Sequence, residues 1–244
     1  MSAHEPSILG VFAHPDDESL LAGGLLARAT SRGATTGVVT ATWSQPTARG
    51  DDLAAALRHL NAGEPRFLGY ADARVPESAP GAPRLLDAPL DQAVERLVAI
   101  IREFRPDVVV THDTYGSATG HPDHLQTYRI TTLAVEAAAL ELAYPGAGEP
   151  WRASDLMLAT HPVSRIPLLD ELLGARRALF ASPDGAVTDV IDVSPWLDVK
   201  VAAILAHASE VELGAAPGII DALSPADRAR LLSTEWYIRR ASRT

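Results

Sequence analysis

The chain has no cysteine. Disulfides, thiolate zinc sites and a cysteine nucleophile are therefore excluded, and any transition metal must be held by His, Asp or Glu. There is one lysine, Lys200, and the formal charge is −10. The basic runs are short: "ARR" at 175–177 and "IRR" at 238–240. A polyanion meets net repulsion, so no nucleic-acid partner is expected. The apolar runs fall far short of the ~18 residues of a membrane span. Residues 1–10, "MSAHEPSILG", show neither a basic leader nor an apolar signal core. A soluble, cytoplasmic protein with no membrane partner is the expectation. Two motifs are also missing. Acids stand where G-x-G-x-x-G would follow the first apolar run, and they would repel a pyrophosphate. Gly23-Gly24 comes too late for a phosphate loop and suits close helix packing instead. G-x-S-x-G, the mark of a serine hydrolase, is absent.

What is present suffices for a core: 47% of 244 residues are hydrophobic. At roughly 100–200 residues per domain, this suits one large domain or a domain with an appendage. Residues 7–13, 35–43, 66–70, 107–113 and 155–161 read as buried strands. Residues 18–32, 49–62, 89–104 and 121–143 read as helices between them. This alternation predicts an α/β fold with a mostly parallel sheet and helices on both faces. After residue 161 the rhythm weakens. Residues 187–193 read as an edge strand, and 195–210 and 224–232 as helices. The expected organisation is a single domain, 1–244, with 187–244 as a C-terminal extension packing on the core. Residues 71–88, rich in Pro, Ala and Gly, read as a long loop, either functional or merely exposed.

In an open parallel sheet, ligands bind beyond the carboxyl ends of the strands. His14, Asp16 and Asp17 follow the first strand. His112 and Asp113 end a later one, and His161 another. His121, Asp123 and His124 open the helix after His112, and His207 is a further contributor. His4 and His59 fall elsewhere. Taken singly, His112, His161 and His207 read as structural. "HPDD" (14–17) and "HPDH" (121–124) read differently. His14 and Asp17 are three apart, as are His121 and His124, and a one-turn offset aims two side chains at a shared point. Two histidines and a carboxylate leave open coordination positions, as catalytic zinc requires. Such a set also describes non-haem Fe(II) oxygenases, and a non-catalytic metal-binding module is a further rival.

"AHPDDE" (13–18) with "GHPDH" (120–124) resembles the LmbE-like, or PIG-L, family of zinc-dependent de-N-acetylases. "RGDDLAAAL" (49–57), "FLGYADARV" (67–75), "RPDVVVTHD" (105–113) and "KVAAILAHASE" (200–210) extend the resemblance over most of residues 7–210. It implies a Rossmann-like three-layer sandwich that removes an N-acetyl or related acyl group from an amino sugar or sugar conjugate. By motif position, His14, Asp17 and His124 would be the ligands of Zn2+, with Fe2+ as an alternative ion. Asp16 would be the general base, His121 the second catalytic group and Asp123 its orienting partner. Arg49 and Asp72 would contact substrate. The partner implied is a small N-acetylated sugar or conjugate, and a homo-oligomer is allowed. An amidase of a mycothiol-type conjugate and an antibiotic-tailoring N-deacylase are alternative activities. Two positions depart from the pattern. Thr119 stands where some members carry tyrosine, and Glu210 where glutamine is common.

The chemistry agrees with that assignment. An amide is a poor electrophile with a poor leaving group. Zinc polarises the carbonyl and lowers the pKa of water from 15.7 towards ~7. Adjacent acids then divide the work, Asp17 as ligand and Asp16 as proton acceptor, an assistance worth ~10²–10⁴-fold. A divalent cation also relieves the repulsion among these carboxylates. Glu18 suits the positive N-terminus of the following helix.

Overall fold

Five apolar segments form parallel strands: β1 (Ile8–Phe12), β2 (Thr36–Thr42), β3 (Arg66–Tyr70), β4 (Val108–His112) and β5 (Asp155–Thr160). Every residue of β1, β2 and β4 is buried, as strands covered on both faces must be. The computed structural model describes residues 5–174 and 180–241. His4 and the "ARR" triplet lie outside the described residues.

Helices α1 (Asp17–Ser31), α2 (Ala48–Leu60), α3 (Leu90–Phe104) and α4 (Pro122–Ala138) connect these strands. Leu97, Ile101, Ile130 and Ala134 of α3 and α4 pack on one face of the sheet with Leu9, Val11 and Val109. Leu26 and Leu53 of α1 and α2 cover the other face with Phe12, Val38 and Val110. The result is the expected three-layer α/β architecture. β1 lies between β2 and β4, so the chain reverses its direction of winding there. The crevice beyond the carboxyl ends of β1 and β4 is where such a sheet binds ligands. The two histidine motifs follow those two strands.

The remainder of the chain adds α5 (Ile166–Leu173), β6 (Asp189–Asp192), α6 (Leu197–Leu205), α7 (Ala208–Glu212), α8 (Ala216–Ala222), α9 (Pro225–Leu232) and β7 (Thr234–Ala241). β7 is antiparallel to both neighbours and stands between β5 and β6. Residues 187–241 therefore supply two strands of the sheet itself, besides the helices expected of an extension. Leu169, Ile204, Ile220 and Leu231 build a third apolar cluster beside α1.

Three local differences have physical causes. Helix α4 stops at Ala138, short of the expected 143. The buried Arg102 guanidinium takes up carbonyls from Ala137, Ala138, Leu140, Ala143, Tyr144 and Gly148, and so turns the chain. The expected helix over 195–210 breaks at His207, which forms a buried bond to α1. The 71–88 loop folds back on β3: Ala71 N–H donates to Pro83 O, and Leu85 N–H to Ala71 O, each at 2.9 Å. Gly24 makes the close packing expected of it. A β-carbon there would lie 2.4 Å from Val193 Cβ.

Candidate metal centre

Beyond β1 the backbone is clasped to β4: Ala13 N–H donates to His112 Nε2 at 3.0 Å. Asp16 then takes φ 129°, a strained conformation for a residue with a β-carbon. It is held by its N–H on Glu18 Oε2 and by its carbonyl, which accepts Ser19 and Leu20 N–H. The turn sends the two adjacent acids apart. Asp17 faces His14 (3.3 Å) and His124 (3.3 Å), whereas Asp16 Oδ1 faces the Arg49 guanidinium at 3.1 Å.

His14 Nδ1 and His124 Nε2 lie 3.1 Å apart. Each ring is fixed from behind. His124 Nδ1 lies 3.0 Å from Gly116 O, a carbonyl that can only accept, so Nδ1 carries the proton and Nε2 presents a lone pair. His14 Nε2 lies 2.9 Å from Asp72 Oδ2 and 3.2 Å from Asp123 Oδ2. Its proton belongs there, leaving Nδ1 with a lone pair. With the His14 ring neutral, two lone pairs and the Asp17 carboxylate converge here, and a bound cation would take the place of the second proton that the surrounding carboxylates favour on that ring. Ligands at 2.0–2.1 Å in tetrahedral geometry stand about 3.3 Å from one another. The separations here, 3.1 Å between the two nitrogens and 3.3 Å from His14 to Asp17 Oδ2 and from His124 to Asp17 Oδ1, are in the range of a transition-metal site. Carboxylate backing on a ligating imidazole is the usual outer support of such sites. Three other groupings bring potential ligand atoms together, Asp17–His112–His124, His14–Asp72–His121–Asp123 and His14–His121–His124, the last with His121 Nδ1 taken up by Asp123 N–H. In the first, both His112 nitrogens are already engaged, Nε2 by Ala13 N–H and Nδ1 by Ser117 Oγ at 3.0 Å. In the second, Ala73, Arg74 and Val75 N–H donate to the two carboxylates.

The loop between β4 and α4 delivers the Gly116 carbonyl. Gly116, Ser117, Ala118 and Gly120 all have positive φ, and a β-carbon at Gly116 would come within 3.0 Å of Gly120 Cα. His121 caps α4, its Nδ1 accepting Asp123 N–H at 3.2 Å. The expected Asp123–His121 bond is not the one formed. The Asp123 carboxylate is 3.8 Å from His121 Nδ1 and closer to His14 Nε2 and Ala73 N–H (2.9 Å). Asp72, expected at the substrate, lines the cavity but directs its oxygens to His14 and to Arg74 and Val75 N–H. Arg49 spans Asp16, Pro15 O and Glu210 (3.4 Å) and lies over the Trp43 ring.

Sequence reasoning missed two contributions. His112, read singly as structural, stacks on His124 with ring centroids 4.0 Å apart. Glu18, expected merely to start a helix, is buried and lies 2.8 Å from His207 Nε2, tying the α1 turn to α7. Both are polar residues beside the motifs, the one signal that pointed to them. His161 follows β5 as expected but sits by Trp236, outside the histidine cluster.

The electrostatics follow from the packing. Burial pushes the Asp16 carboxyl up to about 7, with the Arg49 charge opposing and Asp17 reinforcing the rise. Burial alone would lower His14, but the carboxylates of Asp123, Asp17 and Asp72 hold it well above the usual imidazole range. Burial and the neighbouring His14 and His124 rings push His121 down to about 4. Carboxylates outnumber guanidinium groups around these rings, so the site attracts a cation.

The family model for GlcNAc-PI de-N-acetylase (PIG-L) matches residues 9–135. This chain belongs to the PIG-L family. A 1D-myo-inositol 2-acetamido-2-deoxy-alpha-D-glucopyranoside deacetylase of Rhodococcus erythropolis is 37% identical, covering 98% of this chain and 92% of that protein. A conserved protein of Thermus thermophilus shares the fold with TM-score 0.68 and 26% identity, over 96% of this chain and 94% of its own. N,N'-diacetylchitobiose deacetylase from Pyrococcus horikoshii superposes with TM-score 0.67 over 97% and 84% of the two chains. At 17% identity this is a likeness of fold. The PIG-L match spans β1 to α4, which hold both histidine motifs. The walls added by α5 to β7 lie beyond it.

Proposed function

We propose that this chain is a metal-dependent N-deacetylase of an amino sugar joined to a polar partner, a cytoplasmic small-molecule substrate. Zinc is the ion proposed, with iron(II) as the alternative, since two imidazoles and one carboxylate suit both. One observation carries the reading: of two adjacent buried acids, Asp17 faces the paired lone pairs and Asp16 does not. The substrate class follows the names of the relatives, which are deacetylases of an acetamido-glucoside of inositol. A polar cavity of about 410 Å³ adjoins the centre, walled by Asp16, Arg49, Asp72, Arg74, His121 and Glu210. It offers donors and acceptors for a polyol.

When bound, the cation supplies Lewis-acid polarisation of the amide carbonyl and acidification of a water molecule. Asp16, free of the ligand set, would accept a proton from the attacking water at its carboxylate. Arg49 holds the carboxylate in place. His121 Nδ1 is occupied by Asp123 N–H, so the neutral ring carries its proton on Nε2 and can donate a hydrogen bond to the amide oxygen as negative charge builds there, while the proton taken up by Asp16 passes to the departing amine. Asp72 and Asp123 orient His14. Water adds across the amide, and acetate and the free amine leave.

The test is acetate release from the inositol acetamido-glucoside. The metal-loaded protein should release it, a strong chelator should stop it, and zinc or iron(II) should restore it. Asp16→Asn should keep its metal by elemental analysis and lose about 10²–10⁴-fold in turnover. Undiminished release after chelation, or full turnover by Asp16→Asn, overturns the reading.

A further inference from the structure

A second cavity, about 340 Å³, lies on the other side of the centre. It shares Asp17, Leu20, Thr119, His124, Ala215 and Ala216 with the polar cavity, so the two meet beside the Asp17–His124 edge. Its character is opposite. Its wall is mainly apolar, with Leu169, Leu173, Ile219, Ile220, Leu231 and Trp236 among the residues that line it. Lys200 and Glu235 also line it, but they are paired with each other at 2.7 Å and demand no counter-charge from a ligand.

We propose that this cavity receives the acyl chain of the substrate, so that the same centre hydrolyses N-acyl amino sugars with chains longer than acetyl. The inference rests on the hydrolytic reading above. An amide held at the Asp17–His124 edge has two substituents that point apart. The polyhydroxylated amine matches the polar cavity, which leaves the acyl group to the apolar one. Acetyl would fill little of it. At about 30 Å³ per water-sized group, the volume holds roughly ten such groups, enough for a chain of about six to eight carbons. Thr119 stands on the wall common to both cavities. A bulkier side chain there would narrow the passage.

The test is a series of N-acetyl, N-butanoyl, N-hexanoyl and N-octanoyl forms of one α-glucosaminide, hydrolysed by the metal-loaded protein. kcat/KM should rise with length, by up to about fourfold per added methylene. Ile219→Trp, which fills the apolar cavity away from the catalytic groups, should keep acetyl turnover within about twofold and lose the gain. The wild-type series is decisive even if that variant does not fold. Acetyl release with a flat or falling series overturns the acyl cavity and leaves deacetylation standing. If no member is hydrolysed, calorimetric binding of the same ligands separates the two ideas. Tighter binding of octanoyl than acetyl upholds the cavity while the hydrolytic reading falls, and equal binding overturns both.

Discussion

Asp72 Oδ2 lies 2.9 Å from His14 Nε2, while the other nitrogen of that ring faces His124 Nε2 at 3.1 Å. This carboxylate, the nearer of two on that nitrogen, with Asp123 at 3.2 Å, helps to set which nitrogen of His14 can meet a cation. Asp72→Asn should weaken metal affinity by about 10–100-fold. Competition with a chromogenic chelator measures it. Turnover should recover at saturating metal. A normal metal affinity with a raised KM would return Asp72 to the substrate-contact role its motif suggested.

Arg49 spans Asp16, Pro15 O and Glu210 with one rigid fork. An ammonium cannot hold all three directions. Arg49→Lys should therefore keep its metal and lose about 10²-fold in kcat through misplacement of Asp16. Steady-state kinetics decide the matter. A change confined to KM would mean that Arg49 serves the substrate rather than Asp16.

The buried Glu18–His207 pair should make stability depend on pH. Burial alone would raise Glu18 and lower His207, but their attraction overrides it, so Glu18 is depressed and His207 raised. The raised imidazole contributes fully below its unfolded pKa, ~6.5, and its contribution fades as pH rises through the folded value. The depressed carboxyl contributes above its unfolded pKa, ~4.3, and its contribution fades as pH falls through the folded value. The pair is therefore worth most between about pH 4.3 and 6.5. His207→Gln should destabilise by up to about 3 kcal/mol near the middle of that window and less towards pH 9. Urea unfolding at several pH values measures the difference. A constant gap would mean that only a neutral hydrogen bond is lost.

Gly24→Ala should destabilise by about 1–3 kcal/mol, because the added carbon meets Val193 and neither element can easily retreat. Gly23→Ala meets only the flexible stem of Lys200, at 3.2 Å, and should change stability less. Chemical denaturation of the two variants side by side checks the ranking.

The parallel half of the sheet was legible because its strands are apolar throughout and its helices alternate with them. The histidine motifs were legible because their residues are close in sequence and follow strand ends. What was not legible depends on contacts distant in sequence. β7 reads Glu-Trp-Tyr-Ile-Arg-Arg, with Glu235 and Tyr237 buried on one side and Arg239 paired with Asp155 and Asp189. Nothing in that segment names β5 and β6 as its neighbours. Similarly, HPDH places Asp123 beside His121, but the 71–75 loop brings Ala73 N–H and draws the carboxylate towards His14.

The position of β7 also imposes an order of assembly. Glu235 receives the N–H groups of Gly24 and Leu25 across 211 and 210 residues of chain. Contacts of that span close late. Until Thr234–Ala241 has left the ribosome, β6 has no neighbour and β5 presents a bare edge. The strand that completes the sheet also anchors the helix that begins at Asp17. The turn at Asp16 is thus translated some two hundred residues before the strand that secures its helix, so folding of the first half of the sheet is gated by a segment distant from it in sequence.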